Sequence, residues 1–150
     1  MTVETTVPDD YPQLRLGSQL CFPLYAAARR VVSSYTPYLK PLGLTYTQYI
    51  VMMALWEKEA LTVGELCRLL YLDNGTVTPL LKKLEDAGYV ARSRSKTDER
   101  VVTVTITNTG RSLREQAKDV PFAVGKCISM QPDEAQTLYR LLHKLMDMTN

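Results

Sequence analysis

The stretch that decides the fold runs from Leu61 to Thr107 and reads LTVGELCRLLYLDNGTVTPLLKKLEDAGYVARSRSKTDERVVTVTIT. It begins with a helix start signal, because Thr62 can cap the backbone and Glu65, three residues later, completes a capping box. Apolar residues then follow on one predicted helix face, namely Leu66, Leu69 and Leu70. Leu61 is placed to pack against Leu66 and fix the direction of entry. The stretch therefore opens with a short, capped helix.

A second helix follows a break of three residues. Asp73 is a good N-cap for it, and Gly88 is the natural residue for its stop. Between them, apolar residues recur with the spacing of a buried stripe: Val77, Leu80, Leu81 and Leu84. We expect Pro79 near the end of the first turn, where a missing N–H costs little. Two short helices joined by a three- or four-residue turn predict a helix-turn-helix.

The opposite face of this second helix is polar. It carries Asn74, Thr76, Thr78, Pro79, Lys82 and Lys83. Hydroxyl and amide groups near a helix N-terminus can reach base edges or phosphates, and lysines can reach phosphates. A solvated polar face is the plainer interpretation for an arbitrary helix. The residues that follow favour a nucleic-acid interface.

Two strand-like runs, Tyr89–Ser93 and Val101–Thr107, flank a charged tip after Gly88. The candidate contacts in this hairpin are Arg92, Arg94, Asp98 and Arg100. An ordinary solvated turn would explain the charge, but not why the hairpin directly follows the helix pair. The pattern predicts a mainly α-helical winged helix-turn-helix with a small β-hairpin wing. In this arrangement the second helix enters the major groove of DNA, and an arginine of the wing enters a narrow minor groove.

The flanking segments are predicted to be helical and to support a dimer. Helical periodicity covers Leu14–Leu39, Tyr46–Lys58, Arg111–Asp119 and the segment that starts at Pro132, whereas Pro121–Met130 is less patterned. The last helix has an apolar stripe that needs a partner: Leu138, Leu141, Leu142, Leu145 and Met148. We therefore predict a disordered lead-in over 1–13 and one domain over 14–150. Its winged helix-turn-helix spans about 46–107, between N- and C-terminal dimerisation helices at about 14–42 and 108–150.

Composition narrows the class of protein without identifying it. The net charge is only +2, so the DNA prediction rests on pattern and position. No apolar run approaches the roughly 18 residues of a membrane span, and the N-terminus lacks the features of a signal peptide. The three cysteines and the single histidine show no metal-ligand spacing, so no metal or cofactor is expected. Widely spaced, odd-numbered cysteines favour a reducing cytoplasm.

Three segments together resemble the MarR family of dimeric winged-helix regulators. They are QLCFPLYAA around Cys21, LTYTQYIVMMALWE over Leu44–Glu57, and the motif that runs from Asp73 through Asp98-Glu99-Arg100 to Gly110. The first two are similar to the organic-hydroperoxide repressors and their thiol-sensing relatives. The resemblance implies a homodimer on palindromic double-stranded operator DNA. It also implies that Asp98 braces the wing while Arg100 reaches the minor groove.

The same resemblance implies a redox site. In these proteins the reactive cysteine lies near the start of the first helix, at the position of Cys21, with tyrosine hydroxyls at the positions of Tyr35 and Tyr46 and with Tyr25 nearby. A thiolate is the nucleophile toward a peroxide, and phenol donors stabilise that anion. Oxidation gives a sulfenic acid that a second thiol can capture. Cys127 is the better candidate for this capture, because Cys67 is expected to pack in the core.

Other functions stay open at this point. A regulator of the same family could instead respond to a small aromatic ligand in a tyrosine-lined cleft. A thiol peroxidase would also use Cys21, but no histidine or arginine nearby in sequence is placed to activate turnover, so we do not expect an enzyme. A winged helix used only for protein contacts fits poorly with the lysine-bearing helix face. The leading hypothesis is a cytoplasmic repressor, with no membrane partner, that releases DNA when an organic hydroperoxide oxidises Cys21.

Overall fold

The computed structural model describes residues 11–147, and over that range it contains eight α-helices and three short β-strands. The helices are α1 (Cys21–Ser34), α2 (Thr36–Leu39), α3 (Tyr46–Lys58), α4 (Val63–Leu70), α5 (Asn74–Asp86), α6 (Asn108–Ala117), α7 (Val120–Gly125) and α8 (Pro132–Asp147). The strands are β1 (Ala60–Thr62), β2 (Val90–Arg94) and β3 (Val102–Ile106). The chain divides into two compact units, one that ends at Ser34 and one that begins at Tyr35. The fold is the predicted mainly α-helical winged helix-turn-helix.

The first unit consists of two short 3-10 helices, Pro12–Leu14 and Leu16–Ser18, followed by α1. The sequence predicted a helical segment from Leu14 that either starts or kinks at Pro23, and the structure has the first of these, because α1 begins at Cys21. Pro23 lies in its first turn, where backbone N–H groups have no helical partner and a proline is tolerated. Of the predicted lead-in, residues 1–10 lie outside the described residues, as does Met148 of the predicted C-terminal stripe.

The helix starts of the second unit follow the capping residues of the sequence. Thr45 with Gln48 and Thr62 with Glu65 form complete capping boxes at the starts of α3 and α4. Glu65 accepts from the Thr62 N–H at 2.7 Å, and the Glu65 N–H donates to the Thr62 hydroxyl at 3.2 Å. These bonds satisfy N–H groups that a helix N-terminus would otherwise leave unpaired. The predicted box at Thr62 and Glu65 is therefore confirmed.

Helices α4 and α5 form the predicted pair, with two corrections. Leu66 is buried, but Leu69 is 53% exposed, because only one side of the short helix α4 faces the core and Leu69 does not lie on it. Pro79 lies in the helix interior, six residues after the Asp73 cap, and not in the first turn. Its missing N–H therefore removes one hydrogen bond of α5, on the face that is exposed to solvent.

Gly88 ends α5 as predicted. Its φ of +78° lies in the left-handed region, which glycine adopts without steric cost. The Gly88 N–H donates to the Glu85 carbonyl at 2.8 Å, and the Tyr89 N–H donates to the Leu84 carbonyl at 3.0 Å. This pair of bonds is a Schellman motif, and it directs the chain from the helix into β2.

The wing is part of a three-stranded antiparallel sheet with the order β1-β3-β2. β3 pairs with β2, with Val104 opposite Arg92, and also with β1, where Val104 lies opposite Leu61. The sequence predicted only the hairpin, because the three residues of β1 are too few to show an alternating pattern. β1 therefore connects the wing to the start of α4.

Gly110 anchors the base of the wing to α3. A Cβ atom at Gly110 would overlap the Tyr89 carbonyl oxygen, so only glycine fits this approach. The indole N–H of Trp56 donates to the Gly110 carbonyl at 2.8 Å, and the Thr107 hydroxyl caps α6 through the Gly110 N–H at 3.1 Å. Thr107, one of the two caps that the sequence offered, thus ends the wing and starts the next helix, which begins at Asn108 and not at the expected Arg111.

One core connects α3, the helix-turn-helix and the sheet. Its most deeply buried side chains include Leu39, Val51, Met52, Leu55, Leu66, Val77, Leu81, Leu84 and Val104. The predicted α5 stripe is entirely in this core. The polar face of α5 is therefore held outward by a rigid, fully packed opposite face.

The C-terminal elements differ from one another in burial. Helix α7 forms in the segment that showed little pattern, with Val120 and Val124 buried. Helix α8 begins at Pro132 as predicted, but within Pro132–Asp147 no side chain is fully buried. Leu138, Leu141 and Leu145 are exposed in the single chain, and Leu142 is half-buried. Among the described helices, none is long and apolar enough to cross a membrane.

Candidate functional site

The predicted DNA-contacting residues of α5 lie on one solvent-exposed face. Asn74, Thr76, Thr78, Pro79, Lys82 and Lys83 are all exposed. The Asp73 carboxylate caps the helix by accepting from the Thr76 N–H at 2.8 Å and from its hydroxyl at 2.9 Å. These two bonds lower the pKa of Asp73, so its charge stays engaged at the helix N-terminus. Thr76 is consequently held in one orientation.

Arg92, another predicted DNA contact, is engaged within the protein. Its guanidinium donates two hydrogen bonds to Glu85 Oε2, at 2.9 and 2.7 Å, and its backbone N–H donates to Glu85 Oε1 at 2.9 Å. The Arg92 guanidinium is the main cause of the lowered pKa of Glu85. The pair ties the last turn of α5 to β2, and it neutralises a carboxylate next to the polar face.

The wing tip is closed by its own side chains. Asp98 Oδ1 accepts from the Arg100 N–H at 3.0 Å, and the Ser95 N–H donates to the Val101 carbonyl at 2.8 Å. Asp98 therefore bonds to the backbone of Arg100 and not to its guanidinium. Among residues 11–147, no carboxylate forms an ion pair with Arg94 or Arg100. The two arginines of the wing are therefore available to a ligand.

A cleft of about 430 Å³ brings the two groups of candidates together. It is lined by Thr62, Gly64, Asn74, Thr78, Arg100 and Val102, among others. The start of α4, the polar face of α5 and the root of the wing thus face the same space. A groove-binding ligand could contact the helix and the wing at once.

Cys67 has a contact that sequence reasoning missed. It packs against the core as expected, but it is only half-buried, and its thiol donates to Asn74 Oδ1 at 3.2 Å. Asn74 is the first residue of α5 and a candidate DNA contact. No sequence pattern marks this pairing, because it depends on how the turn between the two helices closes.

In the first unit, Cys21 is exposed at the start of α1, and Tyr25 follows one turn later. The Tyr25 hydroxyl accepts from the Arg29 guanidinium at 3.3 Å, and this guanidinium lies 5.6 Å from the centre of the Tyr25 ring. Tyr25 therefore has a cationic neighbour on its own helix.

In the second unit, the other two candidate tyrosines are in contact. The rings of Tyr35 and Tyr46 lie 4.9 Å apart, edge to face, and Tyr49 lies 5.8 Å from Tyr35. Burial, and then the neighbouring Tyr35, raise the pKa of Tyr46, so its phenol keeps its proton at neutral pH. Tyr49 is a further member of the cluster that the sequence did not identify as one.

Cys127 also lies in the second unit, just after α7, and its thiol is exposed. The Tyr38 hydroxyl is 3.9 Å from its sulfur, and the Ala123 carbonyl is 3.6 Å away. Tyr38 was not predicted as a site residue, since 89 positions separate it from Cys127. Among the described residues, no three side chains of His, Cys, Asp or Glu gather as a metal site.

Comparison with known proteins adds family evidence to this geometry. The model of the transcriptional regulator SarA/Rot family matches residues 33–117. The organic hydroperoxide resistance transcriptional regulator of Bacillus subtilis is 39% identical over 137 residues, which cover 91% of this chain and 93% of that protein.

Solved structures give the same picture. AbfR is a protein of Staphylococcus epidermidis, and its reduced form has been solved bound to DNA. This structure aligns with a TM-score of 0.77 at 34% identity, over 92% of this chain and 94% of that one. AbfR has also been solved in a disulfide-formed state, with a TM-score of 0.62. BpsR of Bordetella bronchiseptica, whose DNA binding is regulated by 6-hydroxynicotinic acid, aligns with a TM-score of 0.81 at 25% identity, over 93% of this chain and 99% of that one.

Proposed function

The chain belongs to the SarA/Rot and MarR family of winged-helix transcriptional regulators, and on that premise we propose that it is a dimeric repressor that releases its operator when an organic hydroperoxide oxidises Cys21. The observation that carries the proposal is that α5 has two different faces. One face is buried in the core, and the other presents amides, hydroxyls and lysines beside two wing arginines that form no ion pair within residues 11–147. This is the arrangement that a winged helix needs in a major groove and the adjacent minor groove.

Local charge supports DNA as the ligand despite the small net charge. Asp73 is engaged as a helix cap, and Glu85 is paired with Arg92, so two of the acids near the interface are not free to repel phosphates. Lys82, Lys83 and Arg100 remain available to phosphates and the minor groove. The proposed site residues on DNA are therefore these cations together with Asn74, Thr76, Thr78 and Pro79, which lie on the exposed face of α5, and Arg94 at the wing. Arg92 acts by bracing the wing against α5.

The proposed dimer follows from α8. Its exposed leucine stripe has no partner within the described part of the single chain, and burying such a face against a second copy removes apolar surface from water. A two-fold dimer presents two α5 helices to a palindromic operator. The protein would act in the cytoplasm, where a repressor meets DNA and thiols stay reduced.

The proposed signal is a two-step oxidation. The thiolate sulfur of Cys21 attacks the terminal oxygen of the hydroperoxide, an S–O bond forms, the O–O bond breaks, and the alkoxide takes up a proton and leaves as the alcohol. Cys127 of the partner then attacks the sulfenic sulfur, and a disulfide and water result. Tyr35 and Tyr46, with Tyr25, would serve as phenol donors in the first step. Forming the bridge requires Cα atoms within about 7 Å, and the movement that achieves this would separate α5 from the operator.

The redox part of the proposal draws on the relatives. The Bacillus subtilis regulator is named for organic hydroperoxide resistance, and AbfR has been solved reduced on DNA and with a disulfide formed. All of these relatives are transcriptional regulators. We propose that Cys21 likewise reacts once per signal and not in catalytic turnover. A steady-state assay with a thiol reductant should show no sustained peroxide consumption.

A second candidate is a regulator gated by a small aromatic ligand. The observation in its favour is the Tyr35–Tyr46–Tyr49 cluster, together with the similarity to BpsR and its 6-hydroxynicotinic acid. Such a protein would leave Cys21 unmodified at stoichiometric hydroperoxide. Mass spectrometry of the intact chain after one equivalent of cumene hydroperoxide separates the two functions.

The deciding experiment measures DNA binding with and without hydroperoxide. A palindromic operator is first selected from a random duplex library with the reduced protein. Wild type should bind this operator and release it after cumene hydroperoxide, whereas Cys21→Ser should bind it and ignore the peroxide. Release by Cys21→Ser at the same dose would overturn the proposal that Cys21 is the sensor.

A further inference from the structure

Cys127 has a defined environment that the proposed function does not explain. Its sulfur lies 3.9 Å from the Tyr38 hydroxyl and 3.6 Å from the Ala123 carbonyl. Because the single S–H of the thiol donates to the Ala123 carbonyl, the phenol O–H is the group that can donate to the sulfur. When the thiol loses its proton, the first bond disappears and the second becomes a charge-assisted bond, which is the stronger kind.

Both partners are held in place by buried neighbours. Tyr38 is half-buried in α2, next to Leu39, which is fully buried. Cys127 follows α7, and its N–H donates to the carbonyl of the buried Val124 at 2.8 Å. Helix α2 packs against α7. The phenol and the sulfur are thus positioned by the fold, while the sulfur itself stays exposed to an incoming group.

The direction of the hydrogen bond is set by the phenol. The bond to Cys127, with the negative charge that this thiol can acquire, raises the pKa of Tyr38, and partial desolvation adds to the effect. The phenol therefore keeps its proton throughout the neutral range. It can act only as the donor when Cys127 becomes a thiolate.

We infer that Tyr38 is a positioning residue for the resolving step: its hydroxyl orients the Cys127 sulfur and donates a hydrogen bond to it while that sulfur attacks the sulfenic acid on Cys21 of the partner. The inference rests on the proposed redox function. In the step, the Cys127 sulfur forms the S–S bond and is oxidised, and the sulfenic sulfur is reduced as its S–O bond breaks. The hydroxide that leaves combines with the proton that Cys127 lost and becomes water. Tyr38 keeps its own proton.

The test separates the two oxidation steps in time. One equivalent of cumene hydroperoxide is added to each of four reduced proteins: wild type, Tyr38→Phe, Cys127→Ser and Tyr71→Phe. Tyr71→Phe is the matched control, because it changes an exposed tyrosine of the helix-turn-helix. Sulfenic acid on Cys21 is trapped with dimedone and counted by mass spectrometry, and the interchain disulfide is followed on non-reducing gels. Tyr38→Phe should form the sulfenic acid at the wild-type rate but the disulfide roughly three- to tenfold more slowly. Tyr71→Phe should match the wild type in both steps.

The pH dependence distinguishes this role from simple packing. The slowing in Tyr38→Phe should be largest below neutral pH, where the thiolate fraction limits the attack, and should shrink at alkaline pH. A second measurement does not depend on Cys21: in a Cys21→Ser background, iodoacetamide should alkylate Cys127 more slowly when Tyr38 is Phe, as counted by peptide mapping.

Each other outcome overturns the inference. An unchanged disulfide rate, unchanged Cys127 alkylation or a slower first step would remove Tyr38 from the resolving step. Oxidation of Cys21 without any disulfide in the wild type would exclude Cys127 as the resolving thiol, while sensing by Cys21 would stand. Absence of Cys21 oxidation would instead refute the proposed function itself.

Discussion

Side chains at the start of α5 hold one another before any ligand arrives. Asp73 fixes the hydroxyl of Thr76, and the thiol of Cys67 fixes the amide oxygen of Asn74. Because these groups are already oriented, binding would lose less side-chain entropy than it would with free rotors. The amide of Asn74 can hydrogen-bond two atoms of a base edge only when it has one orientation, which gives Cys67 a testable influence on specificity.

At the residue scale, Cys67→Ala should weaken discrimination between the selected operator and a variant with changes at its contacted bases. We expect the affinity ratio to fall roughly two- to tenfold, since one hydrogen bond contributes about 0.5–1.5 kcal/mol. Cys67→Ser keeps a donor and should retain the ratio. Fluorescence anisotropy with both duplexes measures the effect. If Ala and Ser behave alike, the thiol only fills space beside Asn74.

At the scale of elements, the lysines of α5 should act on phosphates and not on base identity. Lys82→Ala and Lys83→Ala should each weaken binding to all duplexes and reduce the slope of log affinity against log salt by about one. Lys126→Ala, an exposed lysine that follows α7, is the matched control and should leave the slope unchanged. Unchanged slopes in both α5 variants would remove these lysines from the interface.

The wing should read the shape of the flanking DNA. Asp98 folds the tip through the backbone of Arg100, which leaves the guanidinium available. Arg100→Ala should reduce affinity most on operators with A·T-rich flanks, where the minor groove is narrow and its potential most negative. Lys96→Ala, at the same tip, should show no such preference. Equal losses for Arg100→Ala on G·C-rich flanks would indicate a simple phosphate contact.

The helix starts and stops were predictable from the sequence, because each depends on residues that are close together in the chain. Capping boxes at Thr45 and Thr62, the Asp73 cap and the Gly88 stop each depend on residues within one helical turn. The features that were missed depend on partners distant in sequence. β1 exists because β3 pairs with it, and the burial of Val120 and Val124 stabilises α7. At the candidate site, the Glu85–Arg92 pair and the Tyr38–Cys127 contact have no sequence signature for the same reason.

At the scale of the whole molecule, one chain offers only a small cationic surface. The net charge is +2, and the candidate cations are two lysines of one helix and two arginines of one wing. Two copies are therefore needed to bind an operator tightly. Their α5 helices would lie about 34–36 Å apart, which is one turn of duplex. We propose that the exposed leucine stripe of α8 is the surface for this pairing. The redox bridge between chains would act on the same surface that sets the spacing.

The last prediction tests that surface directly. Leu142 is the half-buried member of the α8 stripe, and Leu142→Asp would place an unpaired carboxylate where the partner should pack. Burying such a charge costs far more than one apolar contact supplies, so the variant should be a folded monomer or should aggregate. Gln136→Asp, two residues before Leu138 and off the stripe, is the control and should remain a dimer. Analytical ultracentrifugation gives the mass, and circular dichroism reports the helix content. A well-folded Leu142→Asp that still sediments as a dimer would refute this placement, whereas a monomer that loses operator binding would show that the two copies of α5 must be joined through α8 to act on DNA.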